Sequence, residues 1–223
     1  MTVDIGDFVA IGTVGSFIVI AVVAIIVGNR AKQRRRLALS DMARELGFNF
    51  SADAGVGILA DHAHLRLFNQ GQSRTVFNLL DGRFGGHDVA VFDYSFVTGS
   101  GKNRSTHYQT IVSIHSLRSL PLFELRPEHI LHKIGQLFGY QDIDFETHPD
   151  FSKRYLVRGQ DEKAVRHTLG YMALSTIESL HHVTIEGGAD RFIFFECEAQ
   201  QQPDAIRRML TDAIRVFKSL SPG

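Results

Sequence analysis

The chain has 223 residues, with 24 basic and 24 acidic side chains, eleven histidines, one cysteine and no tryptophan. With the five basic and two acidic side chains of residues 1–36 set aside, residues 37–223 carry a net charge of −3, which argues against nucleic-acid binding, where a basic surplus is required. The single cysteine excludes an intrachain disulfide and suits a reducing compartment; the many aliphatic and Phe residues exclude a disordered chain.

Residues 8–28 read FVAIGTVGSFIVIAVVAIIVG, with no charged side chain. As a helix they would extend about 31 Å, the thickness of a bilayer's hydrocarbon. A cleaved signal peptide would need a basic start and a shorter apolar core, whereas the flank MTVDIGD carries Asp4 and Asp7 and no cation. The sequence therefore predicts one transmembrane helix. Arg30, Lys32, Arg34, Arg35 and Arg36 follow it directly, and cytoplasmic flanks keep such charges. The expected organisation is a short extracytoplasmic N-terminus (1–7), a transmembrane helix (8–28), a basic juxtamembrane segment (29–36) that touches lipid headgroups through those five cations, and a cytoplasmic α+β domain (37–223), with a subdomain split near 126 or 150. The expected location is the bacterial inner membrane, N-terminus out. Gly12 and Ser16 make a small-xxx-small pair through which two anchors can approach as a homodimer.

Leu39, Met42, Ala43 and Leu46 recur at helical spacing and Gly47 supplies a stop, so the anchor is expected to run straight into the domain's first helix. Residues 48–72 mix loop with a short strand or helix. Strands follow at 74–80 and 88–97, with a turn at 82–88, and then at 107–115 and 121–125. Pro127 is expected to open a helix reaching Gly139. DIDFETHP and KRYLVRG read as short strands. Asp161 caps a helix expected to run to about Leu180, and HHVTIEGGADRFIFFECE reads as a hairpin turning at Gly187 and Gly188. A last amphipathic helix starts at Pro203 and turns Ile206, Met209, Leu210, Ala213 and Phe217 inward. The expected class is α+β, an antiparallel sheet with about four helices in the soluble domain.

TGSGKN at 98–103 resembles the end of a P-loop, but Phe96 stands where glycine is needed and Asn103 where Ser or Thr would hold magnesium. It reads as a long hairpin loop, and Ser100, Lys102 and Asn103 are the expected contact with a protein partner. Asp142, Asp144 and Glu146 would share one face of a strand, which a divalent metal or a solvated face explains equally. The histidines lack a completing acid or cysteine: His129 and His132 lie at i, i+3, His181 and His182 are adjacent, and His62 and His64 share a face only on a strand. Solvent exposure accounts for all of them. Cys197 is expected as a small apolar core residue rather than a nucleophile.

The block FDYSFVTGSGKNRSTHYQTIV, followed by LPLFELRPE, DIDFETHPDFSKRYLVRGQDEKAVR and IEGGADRFIFF, resembles an uncharacterised bacterial family of inner-membrane-anchored α+β proteins. The resemblance covers about residues 37–220 and implies no activity, cofactor or site residue. The functional expectation is a membrane-anchored binding or scaffolding module for another protein, with no cofactor. The alternative is a membrane-tethered hydrolase using a metal on the 142–146 carboxylates.

Overall fold

A computed structural model describes residues 22–53, 55–128 and 142–221, and adds residues 5–21 to its first helix without their side chains. That helix, α1 (Ile5–Leu46), is followed by a short strand β1 (Asn49–Ser51), helix α2 (Gly55–Asp61) and a 3-10 turn at Leu67–Asn69. Next come strands β2 (Gln72–Phe84), β3 (His87–Thr98) and β4 (Ser105–Pro127). The second half holds α3 (Pro149–Arg154), β5 (Tyr155–Gly159), α4 (Glu162–Thr168), α5 (Tyr171–Glu178), β6 (Val183–Glu196) and α6 (Pro203–Ser219). The α+β class and antiparallel sheet match expectation, with six α-helices among the described residues rather than about four.

The six strands form one antiparallel sheet organised on β4, which is 23 residues long. One edge of β4 pairs with β6 over Ile111–Leu125. The other pairs with β3 over Ser105–Ile114 and with β5 over Phe123–Pro127. The two strands expected at 107–115 and 121–125 are thus a single strand, with register shifts between His115 and Phe123 supplying the bend that separates its two partners. A single hydrophobic cluster takes residues from both sides of 126 and of 150.

Residues paired across an antiparallel ladder share a face. One face carries Val89, Val91, Asp93, Thr110, Val112, Ile114 and Phe192, and α1 and α6 cover it. The stripe expected on α6 is buried as read, and Phe217 meets Phe192 edge-on at 5.4 Å. The opposite face carries Phe92, Tyr94, Phe96, Ile111 and Ser113 and is covered by residues 62–70.

Three expectations fail for identifiable reasons, and a fourth falls mostly outside the described residues. Gly187 and Gly188 do not turn the chain but lie inside β6, where a side chain at 187 would collide with the Phe123 ring; the missing Cβ serves close packing. The segment after Asp161 does begin a helix, and the Asp161 carboxylate accepts from Ala164 N at 3.1 Å, but the helix breaks at Gly170 into α4 and α5. Pro127 itself ends β4, paired with Tyr155, and the expected helix after it, with His129 and His132, lies outside the described residues from 129 on. Residues 142–148 form irregular chain with one bridge, Asp142 to Arg158. Expected features that held include the hairpin loop at 99–104, β5, and Gly47 ending α1 at φ +71°.

Among the described residues no helix is long and apolar enough to cross a membrane. Most of the expected 8–28 anchor, with Gly12 and Ser16, has its side chains outside those residues.

Gly71 links the 3-10 turn to β2 with φ +57°, and a Cβ there would strike the Val97 carbonyl oxygen. Gly71→Ala is therefore expected to destabilise the fold by about 2 kcal/mol or more, read as a lowered midpoint in denaturant unfolding.

Candidate functional site

Two buried polar assemblies stand out, one on each face of the sheet. The first joins the stem helix to the domain. Arg35 donates from Nε and Nη2 to the two carboxylate oxygens of Asp93, at 2.8 and 2.7 Å. Its Nη2 also donates to Thr110 Oγ1 and its Nη1 to the Gln201 carbonyl. Asp93 further accepts from Thr110 Oγ1 at 2.8 Å and from Asn78 Nδ2 at 2.9 Å. The Arg35 side chain is 15 % exposed and that of Asp93 1 %, so this is a bidentate pair screened little by water. Asn78 reaches inward because β2 is irregular between Phe77 and Leu80, with Asn78 at φ +53°. Asn tolerates that left-handed backbone better than most residues, and such a bulge re-aims a side chain.

This placement revises the expected headgroup set. Arg35 is committed to the domain interior, and Arg36 meets the exposed Asp53 at 3.4 Å. Arg30, Lys32 and Arg34 are exposed and form no ion pair among the described residues.

The second assembly is a closed chamber on the opposite face. Glu124 and Glu186 are directly opposed across β4 and β6, an unfavourable like-charge pairing unless neutralised. Arg66 answers Glu124 at 2.5 Å, and Arg126 Nη1 lies 3.6 Å from the same oxygen. The Leu67 amide donates to both oxygens of Glu186. Burial first, and Glu124 second, push the Glu186 carboxyl up to about 8. Arg126, 2 % exposed, keeps Nε and Nη2 without a partner among the described residues, as does Gln109 Nε2. The void they border is about 10 Å³, room for about one water molecule and far too small for an organic substrate. His107, hydrogen-bonded at Nε2 to the Thr98 hydroxyl and at Nδ1 to the Glu198 carboxylate, lines it on one side.

Cys197 packs against the hydrophobic core as expected and also borders this chamber. Its sulfur meets Thr184 Oγ1 at 3.3 Å, and burial pushes the thiol up to about 11, away from nucleophilic chemistry. The histidines are not all solvent-exposed either. His62 is buried between Ser113 Oγ and the Ile58 carbonyl, and burial pulls it down to about 4. His64 bonds the Gly188 carbonyl and the buried His148 bonds Ser175. Sequence spacing does not signal these roles, because Ser113, Gly188 and Ser175 lie far along the chain from the histidines they bond.

Asp142, Asp144 and Glu146 are exposed, and Asp142 is taken by Arg158 Nε at 2.6 Å. Among the described residues no three acids, histidines or cysteines gather as metal ligands. Ser100, Lys102 and Asn103 form the exposed tip of the β3–β4 hairpin.

Comparison with known proteins leaves the fold as the main result. No family model and no curated protein matches the chain. A solved structure, the mycobacterial trehalose monomycolate transport factor A, TtfA, aligns with a TM-score of 0.60 at 13 % identity, over 87 % of this chain and 98 % of that one. The two share a fold.

The chamber has a pH signature. A carboxyl held at about 8 against a usual 4.5 keeps a proton in the folded state that the unfolded chain has lost, so its contribution declines as pH rises through that interval. His62, held near 4 against 6.5, acts with the opposite sign below 6.5. Between pH 6.5 and 8 the Glu186 effect is the one left, and stability should fall with rising pH. Glu186→Gln should flatten that slope in denaturant titrations; an unchanged slope would place the proton elsewhere.

Proposed function

We propose that this chain is a membrane-anchored scaffold: residues 8–28 cross the bacterial inner membrane, and the α+β domain is held on the cytoplasmic face to bind another protein. The observation that carries this reading is the construction of α1. It is one helix from Ile5 to Leu46 whose last turns bury Leu39, Met42 and Ala43 in the domain core, and Arg35 clasps it to the sheet. An anchor joined this way orients its domain, whereas a flexible tether would only localise it.

The stem's composition supports the anchor. Val22, Val23, Ile25, Ile26 and Val27 are 45–63 % exposed, a consecutive apolar surface that the domain leaves uncovered and that suits lipid. The basic run after it favours a cytoplasmic domain. The scaffold role draws support from the fold shared with a protein named as a transport factor. The chamber, too small for a substrate, offers no competing catalytic reading.

Full-length protein in cell membranes is expected to resist alkaline carbonate extraction, and deletion of residues 8–28 to release it. Affinity purification at native expression should recover a stoichiometric protein partner that the deletion variant loses. Release of the intact chain by carbonate would contradict the anchor, and a partnerless intact chain would contradict the scaffold.

A further inference from the structure

The clasp fixes the direction in which the stem leaves the sheet. Arg35 is level with Asp93 on β3. At the other end of the helix, Phe48 covers Gly82, which pairs with Val89. Read from C- to N-terminus, α1 therefore advances in the direction in which β3 climbs from Val89 towards Thr98. Asp53, beside Arg36 and just beyond β1, agrees with this direction, since β1 runs back from the Gly82 level.

The angle follows from lengths. Eleven residues from Arg35 to Leu46, where α1 ends, make roughly 17 Å of helix, while Asp93 to Val89 makes roughly 13 Å of strand, so the helix lies at about 40° to β3. From Asp93 to Thr98 the hairpin climbs roughly 17 Å, which projects to about 13 Å along the stem. Arg35 to Gly28 is about 10 Å of helix and Arg35 to Ile26 about 13 Å. The β3–β4 tip thus stands level with the end of the apolar run.

The cations of this end outnumber its acids. Lys102 and Arg104 on the tip, and Arg30, Lys32 and Arg34 on the stem, are all exposed and form no ion pair among the described residues. Of the acids near this end, Asp53 is paired with Arg36, while Glu198 bonds His107 and Glu196 bonds the neutral Gln201 amide. Asp204, at the start of α6, is the one without a partner among the described residues. Tyr108, 46 % exposed, pairs with Ser95 on the stem side of the hairpin, and tyrosine favours the membrane–water boundary.

We propose that the β3–β4 hairpin tip is a second membrane contact, in which Lys102 and Arg104 join Arg30, Lys32 and Arg34 on the anionic headgroup layer, with Tyr108 at its edge. The proposal rests on the anchor reading above. It gives the domain two points of attachment to one bilayer, so that the sheet is held at a set tilt as well as a set height. Partner contact is then left to surfaces facing the cytoplasm, and the tip goes to lipid rather than to a protein.

The absence of native tryptophan makes a direct test available. Three single-tryptophan variants of the full chain, Asn103→Trp, Phe17→Trp and Asp88→Trp, are reconstituted in phosphatidylcholine nanodiscs with and without phosphatidylglycerol. Quenchers are placed on the lipid headgroup or deep in the acyl chain. The expected result is headgroup quenching for Asn103→Trp, stronger with phosphatidylglycerol and lost when Lys102→Glu and Arg104→Glu are added. Acyl-chain quenching is expected for Phe17→Trp and none for Asp88→Trp, at the far end of β3. Quenching of Phe17→Trp without any of Asn103→Trp would overturn the hairpin contact while leaving the anchor standing, and would return the tip to protein contact. Absence of quenching at Phe17→Trp would remove the anchor, and the hairpin proposal with it.

Discussion

The pairing of Arg35 with Asp93 is the constraint on which the rest of the architecture turns. A carboxylate 1 % exposed in the middle of a sheet is tolerated only with a charged partner and further donors. Here those come from three places: the stem helix through Arg35, the β2 bulge through Asn78, and the neighbouring strand through Thr110. Gln201, on the approach to α6, closes the set by donating to Thr110 and accepting from Arg35. Helix, hairpin and C-terminal helix are therefore tied at one point, and removing either charge would leave the other buried and unpaired, a loss of about 3–5 kcal/mol in comparable settings.

The chamber on the other face solves a similar problem differently. Two carboxylates meet across β4 and β6, and one of them, Glu186, is neutralised by keeping its proton instead of by a second full ion pair. Arg66 and Leu67, which answer the two acids, both belong to the segment that covers this face. That segment has little regular structure, and the polar contacts seat it over the sheet. Its register depends on Gly71, whose left-handed backbone directs the chain from the turn into β2.

The sequence disclosed whatever depended on local pattern. The α6 stripe, the Asp161 cap, the hairpin loop at 99–104 and the passage of the stem into the core are all matters of spacing within one segment. It failed where a residue's role is set by a distant neighbour. Gly187 looks like a turn because glycine permits one, yet its purpose is to admit the ring of Phe123, sixty-odd residues away in sequence but adjacent in β4. Arg35 looks like one more juxtamembrane cation, and only Asp93 separates it from Arg34 and Arg36. The chamber was invisible for the same reason: Arg66, Gln109 and Glu124 (both of β4), and Glu186 of β6 come from three separated segments with no common spacing.

Clasped by Arg35 and Asp93, stem and sheet form one rigid body. That rigidity is read from the spin–spin distance distribution between labels at Gln33→Cys on the stem and Asp88→Cys on β3, in a Cys197→Ser background of the full chain in nanodiscs. A clasped joint predicts a single narrow distribution that broadens when Asp93→Ala is added. A distribution already broad in the intact clasp, and unchanged by that substitution, would show a flexible joint between stem and sheet.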